Sequence, residues 1–237
     1  MILKWVDYLQ DLKRSEKLNP NVWITSSDNF ASWGGSSEYR SKTLEELAKR
    51  VDYVSMHTYP FHDTFYNPQF WVTKSSSFKD KDDLIKSAMR RSADYSIQQF
   101  MLVKNYLSSI GVNKDIHIGE TGWASVSTDQ YGADGTRAAD EYKQALYYKY
   151  MKERCDEIGV KCFYFSAFDE PWKDFSNPLG SENHFGLFTV DGKAKYIMWD
   201  YVDAGLFKGL SRNGNKIRKT YEGNMVNLTQ DVYHPPS

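Results

Sequence analysis

Four short apolar stretches separated by long helical ones predict an α/β fold of the (β/α)8 TIM-barrel class, with this chain carrying about four βα units. Three observations carry that reading. The stretches at 22–28, 51–60, 115–123 and 162–173 are rich in β-branched and aromatic residues, as buried parallel strands are. The segments between them repeat apolar residues at helical spacing. Each strand also runs out into acids, amides, His or Tyr: Asp28 in the first, His57 and Tyr59 in the second, Glu120 in the third, Asp169 and Glu170 in the fourth. In a parallel barrel the C-terminal strand ends converge on one mouth. A packing core has no need of polar groups from four strands in one place.

The elements follow in order. Residues 2–14 place Ile2, Trp5, Val6 and Leu9 on one helical face. Thr43-Leu44-Glu45-Glu46 reads as a capping box opening a short helix that ends near Arg50. Residues 61–79 show neither period and are rich in aromatic residues, so they are expected to form a long loop over the mouth of a site. Asp80 to Asp83 open a long helix to Ile110, with Ile97, Phe100, Met101 and Leu107 on one side and Gly111 as its stop. Residues 136–158 form the next helix, stopped by Gly159. Val190-Asp191-Gly192-Lys193 and Arg212-Asn213-Gly214-Asn215 read as hairpin turns. With no repeat, linker or low-complexity tract, residues 1–237 are expected to be one domain, with 222–237 as a C-terminal tail.

Composition excludes several classes. Lys and Arg number 30 against 31 Asp and Glu, a net charge of −1, which gives no electrostatic reason to expect nucleic acid. The basic stretch of Arg212, Lys216, Arg218 and Lys219 reads as a solvated ribbon. No apolar run approaches the ~20 residues of a membrane span. Cys155 and Cys162 end a helix and begin a strand, and are expected to be two buried thiols rather than a metal or redox pair; no metal or cofactor is expected. Aromatic residues make up 16% of the chain, which suits either an aromatic core or flat platforms for sugars.

Glu120 is the most informative residue: a carboxylate at the end of a buried strand, in Asp115-Ile116-His117-Ile118-Gly119-Glu120-Thr121-Gly122-Trp123. That is a common place for a catalytic group in a (β/α) enzyme. Beside it stand Ser55-Met56-His57-Thr58-Tyr59-Pro60-Phe61, Ala167-Phe168-Asp169-Glu170-Pro171-Trp172-Lys173 and Glu182-Asn183-His184-Phe185-Gly186-Leu187-Phe188. In this order the four motifs resemble glycoside hydrolase family 17, which contains β-1,3-glucan hydrolases and some bacterial β-glucan transglycosylases. The resemblance spans nearly everything to about Tyr221. It implies a retaining (β/α)8 glycosidase working with two glutamates and no cofactor on a β-1,3-glucan.

By that resemblance Glu120 is the nucleophile, at the end of barrel strand seven, and Tyr59, at the end of strand six, lies against it and the reactive sugar. Glu170, Lys173 and Glu182 match a charged cluster lining the cleft, and Trp123, Trp172 and Phe185 are candidate sugar platforms. His57 is open to two readings, orienting a carboxylate or serving as a buried structural histidine, and the second is favoured. Retaining hydrolysis also needs an acid/base carboxyl. In the family it follows an asparagine at the end of strand four, and no Asn-Glu pair occurs in this chain. The chain therefore reads as the C-terminal half of such a barrel, beginning inside the helix after that strand, with the N-terminal half as its missing partner. A transglycosylase and a non-catalytic β-glucan-binding half-barrel stay open as alternatives. No signal peptide is found at Met1, and the resemblance suggests export to the periplasm or exterior for the full-length protein.

Overall fold

The computed structural model describes residues 1–73 and 80–236, so the part of the expected 61–79 loop from 74 to 79 lies outside the described residues. The elements in chain order are α1 (Ile2–Arg14), β1 (Ser27–Asn29), α2 (Lys42–Arg50), β2 (Val54–His57), α3 (Pro60–Tyr66), α4 (Lys81–Ser109), β3 (Ile116–Thr121), α5 (Glu141–Ile158) and β4 (Cys162–Tyr164). Short elements follow: β5 (Lys193–Ala194), α6 (Trp199–Asp203), β6 (Ser211–Arg212), β7 (Asn215–Lys216), β8 (Arg218–Lys219) and α7 (Met225–Thr229). The chain divides into two compact units. One holds Met1–Thr58, Ser96–Thr121 and Cys155–Phe163; the other holds Tyr59–Tyr95, Gly122–Arg154 and Tyr164–Ser237.

The first unit contains the sheet, in the order β1-β2-β3-β4, an open α/β arrangement among the described residues. β1 runs parallel to β2, and β2 to β3. Alternation sorts the side chains. Val54, Met56 and Ile118 are fully buried on one face. Tyr53, Ser55 and His57 take the other. Along that second face a row of rings crosses the strands: Trp23 to Tyr53 at 5.7 Å, Tyr53 to His117 at 4.5 Å, His117 to Phe163 at 6.4 Å. Its outer members are open, Trp23 at 55% and Phe163 at 58% exposure.

Asp52 fastens the edge of this unit. It accepts hydrogen bonds from Lys13 Nζ and from the Ile24 amide, each at 2.7 Å, and from Gln10 at 3.2 Å. Burial raises its pKa, but the donors together outweigh that and hold the carboxyl below its ordinary value. Helix α2 begins two residues earlier than its sequence suggests. Ser41, not Thr43, is the N-cap, its hydroxyl accepting from the Leu44 amide at 3.2 Å. Cys155 is buried, Cys162 half-buried, and both are free thiols.

In the second unit the expected loop is partly helical. Pro60 sits at the first helical position of α3, where its missing N–H costs nothing. Pro68–Phe70 adds a 3-10 turn. Helix α5 begins at Glu141 rather than 136, because residues 131–139 form a turn that two buried indoles require: Trp71 Nε1 donates to Thr136 O at 2.7 Å and Trp123 Nε1 to Ala138 O at 2.8 Å. Both expected hairpin turns are present. Phe188 bridges antiparallel to Ala194, and β6 pairs antiparallel with β7 across Asn213 and Gly214, both with positive φ. At the C-terminus Leu228 and Val232 are buried.

His117 gives this fold a pH dependence. Burial, then Lys161, holds its pKa below the ordinary imidazole value, against a weaker opposing pull from Asp115. The unfolded chain therefore binds this proton more readily than the folded one, and stability rises with pH across that window. Urea denaturation is expected to show full stability above about pH 6.5 and a progressive loss as pH falls below it. His117→Gln should flatten that part of the profile; an unchanged slope would mean the ring titrates as freely folded as unfolded.

Candidate active site

Two clusters of polar groups stand out, one in each unit. In the first unit the strand ends bring Ser27, His57 and Glu120 together. The pairing of β2 with β3 slips after Met56: Met56 faces Ile118, but His57 faces Glu120. Gly119 is the extra residue of the resulting bulge. Regular alternation would put Glu120 on the core face, one step from Gly119. The bulge turns it to lie beside His57, with His57 Nδ1 3.6 Å from Glu120 Oε2. Glycine is required there by space: a Cβ would lie 1.9 Å from Ser55 Oγ and 3.2 Å from Ser27 Oγ. Ser27 Oγ in turn contacts Ser55 Oγ at 2.8 Å and His57 Nε2 at 2.5 Å. The Glu120 side chain keeps 39% exposure, against 20% for His57.

In the second unit Tyr59, His62, Glu182 and Phe185 form the other cluster. Tyr59 stands edge-on to Phe185 at 5.7 Å and 5.8 Å from His62. His62 Nε2 is 3.4 Å from Glu182 Oε1, and its Nδ1 is 3.2 Å from the Tyr131 hydroxyl. Burial lowers the His62 pKa, with Glu182 the largest opposing influence. Burial likewise pushes the Tyr131 phenol up to about 12. Glu170 and Lys173 pair at 3.5 Å, and Lys173 Nζ lies 4.0 Å from the centre of the Phe165 ring.

Buried polar groups hold this second cluster in place. Asn183, fully enclosed, donates to Asp174 O and Asn177 O at 2.9 Å each and accepts from the Asp174 amide at 2.8 Å. Its carbonyl accepts from the Glu170 amide at 3.0 Å. Glu170, Lys173 and Glu182 therefore lie on loops laced through one residue, Asn183, by its side chain and its backbone carbonyl. Asp169 accepts from Lys195 Nζ at 2.6 Å and from the Gly186 amide at 2.9 Å. Lys195 also donates to Ser125 Oγ at 2.7 Å and His184 O at 3.2 Å. Burial pulls the Lys195 ammonium below its ordinary value, against the opposing pull of Asp169.

Trp123 is corrected from platform to core. It is fully buried, with Phe61, Trp71 and Tyr147 packed around it at ring distances of 5.1–5.6 Å. Phe185 is buried too, a wall of the Tyr59 and His62 cluster rather than an open surface. Trp172 is 65% exposed, with its ring open to solvent. Sequence reading missed Ser27, His62 and Lys195. His62 was within reach, five residues after His57 in the same aromatic motif; Lys195 carries no local signal. Among the described residues no group of three or more His, Cys, Asp or Glu could hold a metal ion.

The Asp169–Lys195 pair is nearly dry, at 8% and 2% side-chain exposure. Removing one partner strands a buried charge, so Lys195→Ala should cost about 3–5 kcal/mol in urea denaturation. The exposed pair of Arg50 with Asp7, at 41% and 42%, is the control: Asp7→Ala should cost less than about 1 kcal/mol. Equal losses would show that burial of the first pair does not set its contribution.

The chain matches the model of the BtgE/BtgC glycoside hydrolase domain over residues 4–186. It is 30% identical over 202 residues to a glucan 1,3-beta-glucosidase of Arthroderma benhamiae, an alignment covering 80% of this chain and 54% of that protein. An endo-laminarinase from Formosa Hel1_33_131 superposes with a TM-score of 0.96 at 55% identity, covering 99% of this chain and 60% of that one. A glycoside hydrolase family 17 beta-1,3-glucanosyltransferase from Rhizomucor miehei gives 0.55 at 19% identity, over 81% of this chain and 54% of that one, a likeness of fold alone. The chain thus spans only about half to three-fifths of the length of these relatives. Since the matched region runs through all four strands of the parallel sheet, the chain belongs to the BtgE/BtgC glycoside hydrolase domain family.

Proposed function

We propose that this chain forms the nucleophile-bearing part of a retaining β-1,3-glucan hydrolase of the endo-laminarinase kind, with Glu120 as nucleophile. The observation that carries the reading is the placement of Glu120. It lies at the C-terminal end of a parallel strand and is turned by the Gly119 bulge out of the core and beside His57. The 55% identity to an endo-laminarinase supports the substrate class. The four motifs support a family 17 relationship.

In this reading the Glu120 carboxylate attacks the anomeric carbon and forms a glycosyl ester, while an acid protonates the leaving glycosidic oxygen. Water then cleaves the ester with the same second group acting as base. The two carboxyls must stand ~5–5.5 Å apart. The resemblance puts that acid/base after an asparagine, and these 237 residues contain no Asn-Glu pair. We therefore assign it to sequence outside this chain, in an N-terminal half-barrel. Tyr59, Glu170, Trp172, Lys173 and Glu182 are assigned to sugar contact. Trp172 is the aromatic candidate with an open face.

The test separates nucleophile from acid. The protein expressed from its complete reading frame should cleave laminarin, and Glu120→Gln should lower turnover at least ~10³-fold. The 237-residue chain alone should act poorly on laminarin, since general acid catalysis is typically worth ~10²–10⁴-fold. A fluoride or aryl β-glucan oligoside needs no such proton and should leave a Glu120-linked adduct visible by mass spectrometry. Rapid laminarin cleavage by the 237-residue chain would overturn the assignment of the acid. Full turnover by Glu120→Gln would overturn that of the nucleophile. Product analysis distinguishes water from sugar as acceptor: oligosaccharides longer than the substrate would indicate a transglycosylase.

A further inference from the structure

The first unit places an imidazole between a serine and the candidate nucleophile, and the question is what that ring does. A structural histidine buries both nitrogens against partners in the core. His57 instead presents Nε2 to Ser27 Oγ at 2.5 Å and Nδ1 toward Glu120 Oε2 at 3.6 Å, with a carboxylate that is 39% exposed. Three strands supply the three groups: Ser27 from β1, His57 from β2 and Glu120 from β3. The backbone holds the ring on both sides. The Phe30 amide donates to His57 O at 3.0 Å, and the Thr58 amide donates to Glu120 O at 3.0 Å.

The donor and acceptor inventory fixes the direction of this chain. An ionised carboxylate can only accept, so for Nδ1 to serve it as a donor the neutral ring carries its proton on Nδ1 and its lone pair on Nε2. Ser27 must then donate to Nε2. Ser55, 2.8 Å away, can donate to Ser27 in turn. Gly119 belongs to the same device, because a Cβ there would displace the Ser55 hydroxyl and crowd that of Ser27. At 3.6 Å the last link is longer than a hydrogen bond, so a role for this N–H requires the gap to shorten to about 3 Å as charge returns to Glu120.

We propose that His57, held by Ser27, is a positioning residue for Glu120 that stabilises the carboxylate as it leaves the glycosyl-enzyme ester. The proposal rests on the reading of Glu120 as nucleophile. In the second half of the reaction the oxygen of water bonds to the anomeric carbon. Its proton passes to the acid/base carboxylate, and the bond between the anomeric carbon and Glu120 breaks with its electron pair returning to Glu120. An N–H aimed at that carboxylate favours the charge that reappears there. It does not favour attack, in which the same charge is consumed. Losing the donor should therefore slow ester breakdown in particular.

The experiment uses the protein expressed from its complete reading frame and an aryl β-1,3-glucan oligoside, whose activated leaving group makes ester breakdown the slow step. His57→Ala should lower kcat roughly 10- to 100-fold, the loss of one hydrogen bond to a charged group. KM should fall with it, and mass spectrometry should find more of the enzyme as glycosyl adduct at steady state. Ser27→Ala should shift the same readouts in the same direction by less; β1 is exposed, so this variant reports even where His57→Ala fails to fold. His57→Asn, whose amide N–H falls near the position of Nδ1, should restore part of kcat. An unchanged kcat in both alanine variants overturns the proposal, as does a lower kcat with no rise in adduct. Glu120→Gln run alongside separates the two failures. If it is inactive while His57→Ala and Ser27→Ala are silent, only the positioning role falls. If it still turns over, the nucleophile reading itself falls.

Discussion

The one-residue slip between β2 and β3 is the constraint on which the first unit depends. A parallel ladder sorts side chains strictly by alternation, and a shift of one position exchanges the two faces. Up to Met56 and Ile118 the ladder is regular, which is why Val54, Met56 and Ile118 all lie in the core. Continued regularly, it would carry Glu120 into that same core, where an unpaired carboxylate costs several kcal/mol. The bulge at Gly119 moves that cost away and turns the group to the face of Ser27, Ser55 and His57. Glycine suits the slip, because a Cβ there would fall on the Ser55 hydroxyl and crowd that of Ser27. One residue without a side chain thus decides whether the strand ends in a buried liability or in a partly exposed carboxylate beside His57.

The second unit answers a different problem, holding loops rather than strands. Between β4 and α6 the chain has little regular structure of its own, and its backbone groups need partners. Buried side chains provide them. Asp169 and Lys195 clamp residues 125, 184 and 186, while Asn183 laces 170 to 174 and 177. Glu141, at the start of α5, accepts from the Tyr196 amide at 3.0 Å and from Thr220 at 2.7 Å. Burial raises the Glu141 pKa, so this contact is made against a desolvation cost. Such buried ionic contacts contribute little net stability over an apolar packing of similar shape. Their value here lies in position, because they fix the loops that carry Glu170, Lys173 and Glu182.

How much of this was legible in the sequence differs by feature. Three of the four strands could be located from their apolar runs, and α1, α4 and α5 from helical period. The first strand was overread: only residues 27–29 pair, although the run of apolar residues begins at Val22. Trp23 and Ile24 precede the ladder and serve the ring row and the Asp52 clasp instead. The start of α5 was misplaced because the demand of two buried indoles for carbonyl acceptors is a tertiary fact. In the site, Glu120 was marked by its position at a strand end. The bulge that aims it was not, since Gly119 in a strand reads equally as a weak point or a bulge. Lys195 was invisible for a related reason: its partner Asp169 is 26 residues away, and nothing local distinguishes it from a solvated lysine.

The aromatic share of the sequence left core and sugar platform as open alternatives, and burial sorts the rings into enclosed and exposed ones. A sugar platform must offer a ring face to solvent, whereas a core ring must spend both faces on packing and its polar edge on a hydrogen bond. Trp71 and Trp123 satisfy the second condition: both are fully buried and both indole N–H groups are bound to carbonyls. Phe61 and Phe185 join them as walls. Trp172 satisfies the first, on a loop two residues beyond Glu170 and three beyond the Asp169 clamp. An exposed indole on an unsupported loop would lose side-chain entropy on meeting a ligand. Here the neighbouring backbone is already fixed by Asp169, Asn183 and the Glu170 carbonyl, which accepts from the Lys173 amide at 3.0 Å. Buried charge and exposed ring are therefore two parts of one arrangement, in which folding has already fixed the backbone of the loop that carries the open indole.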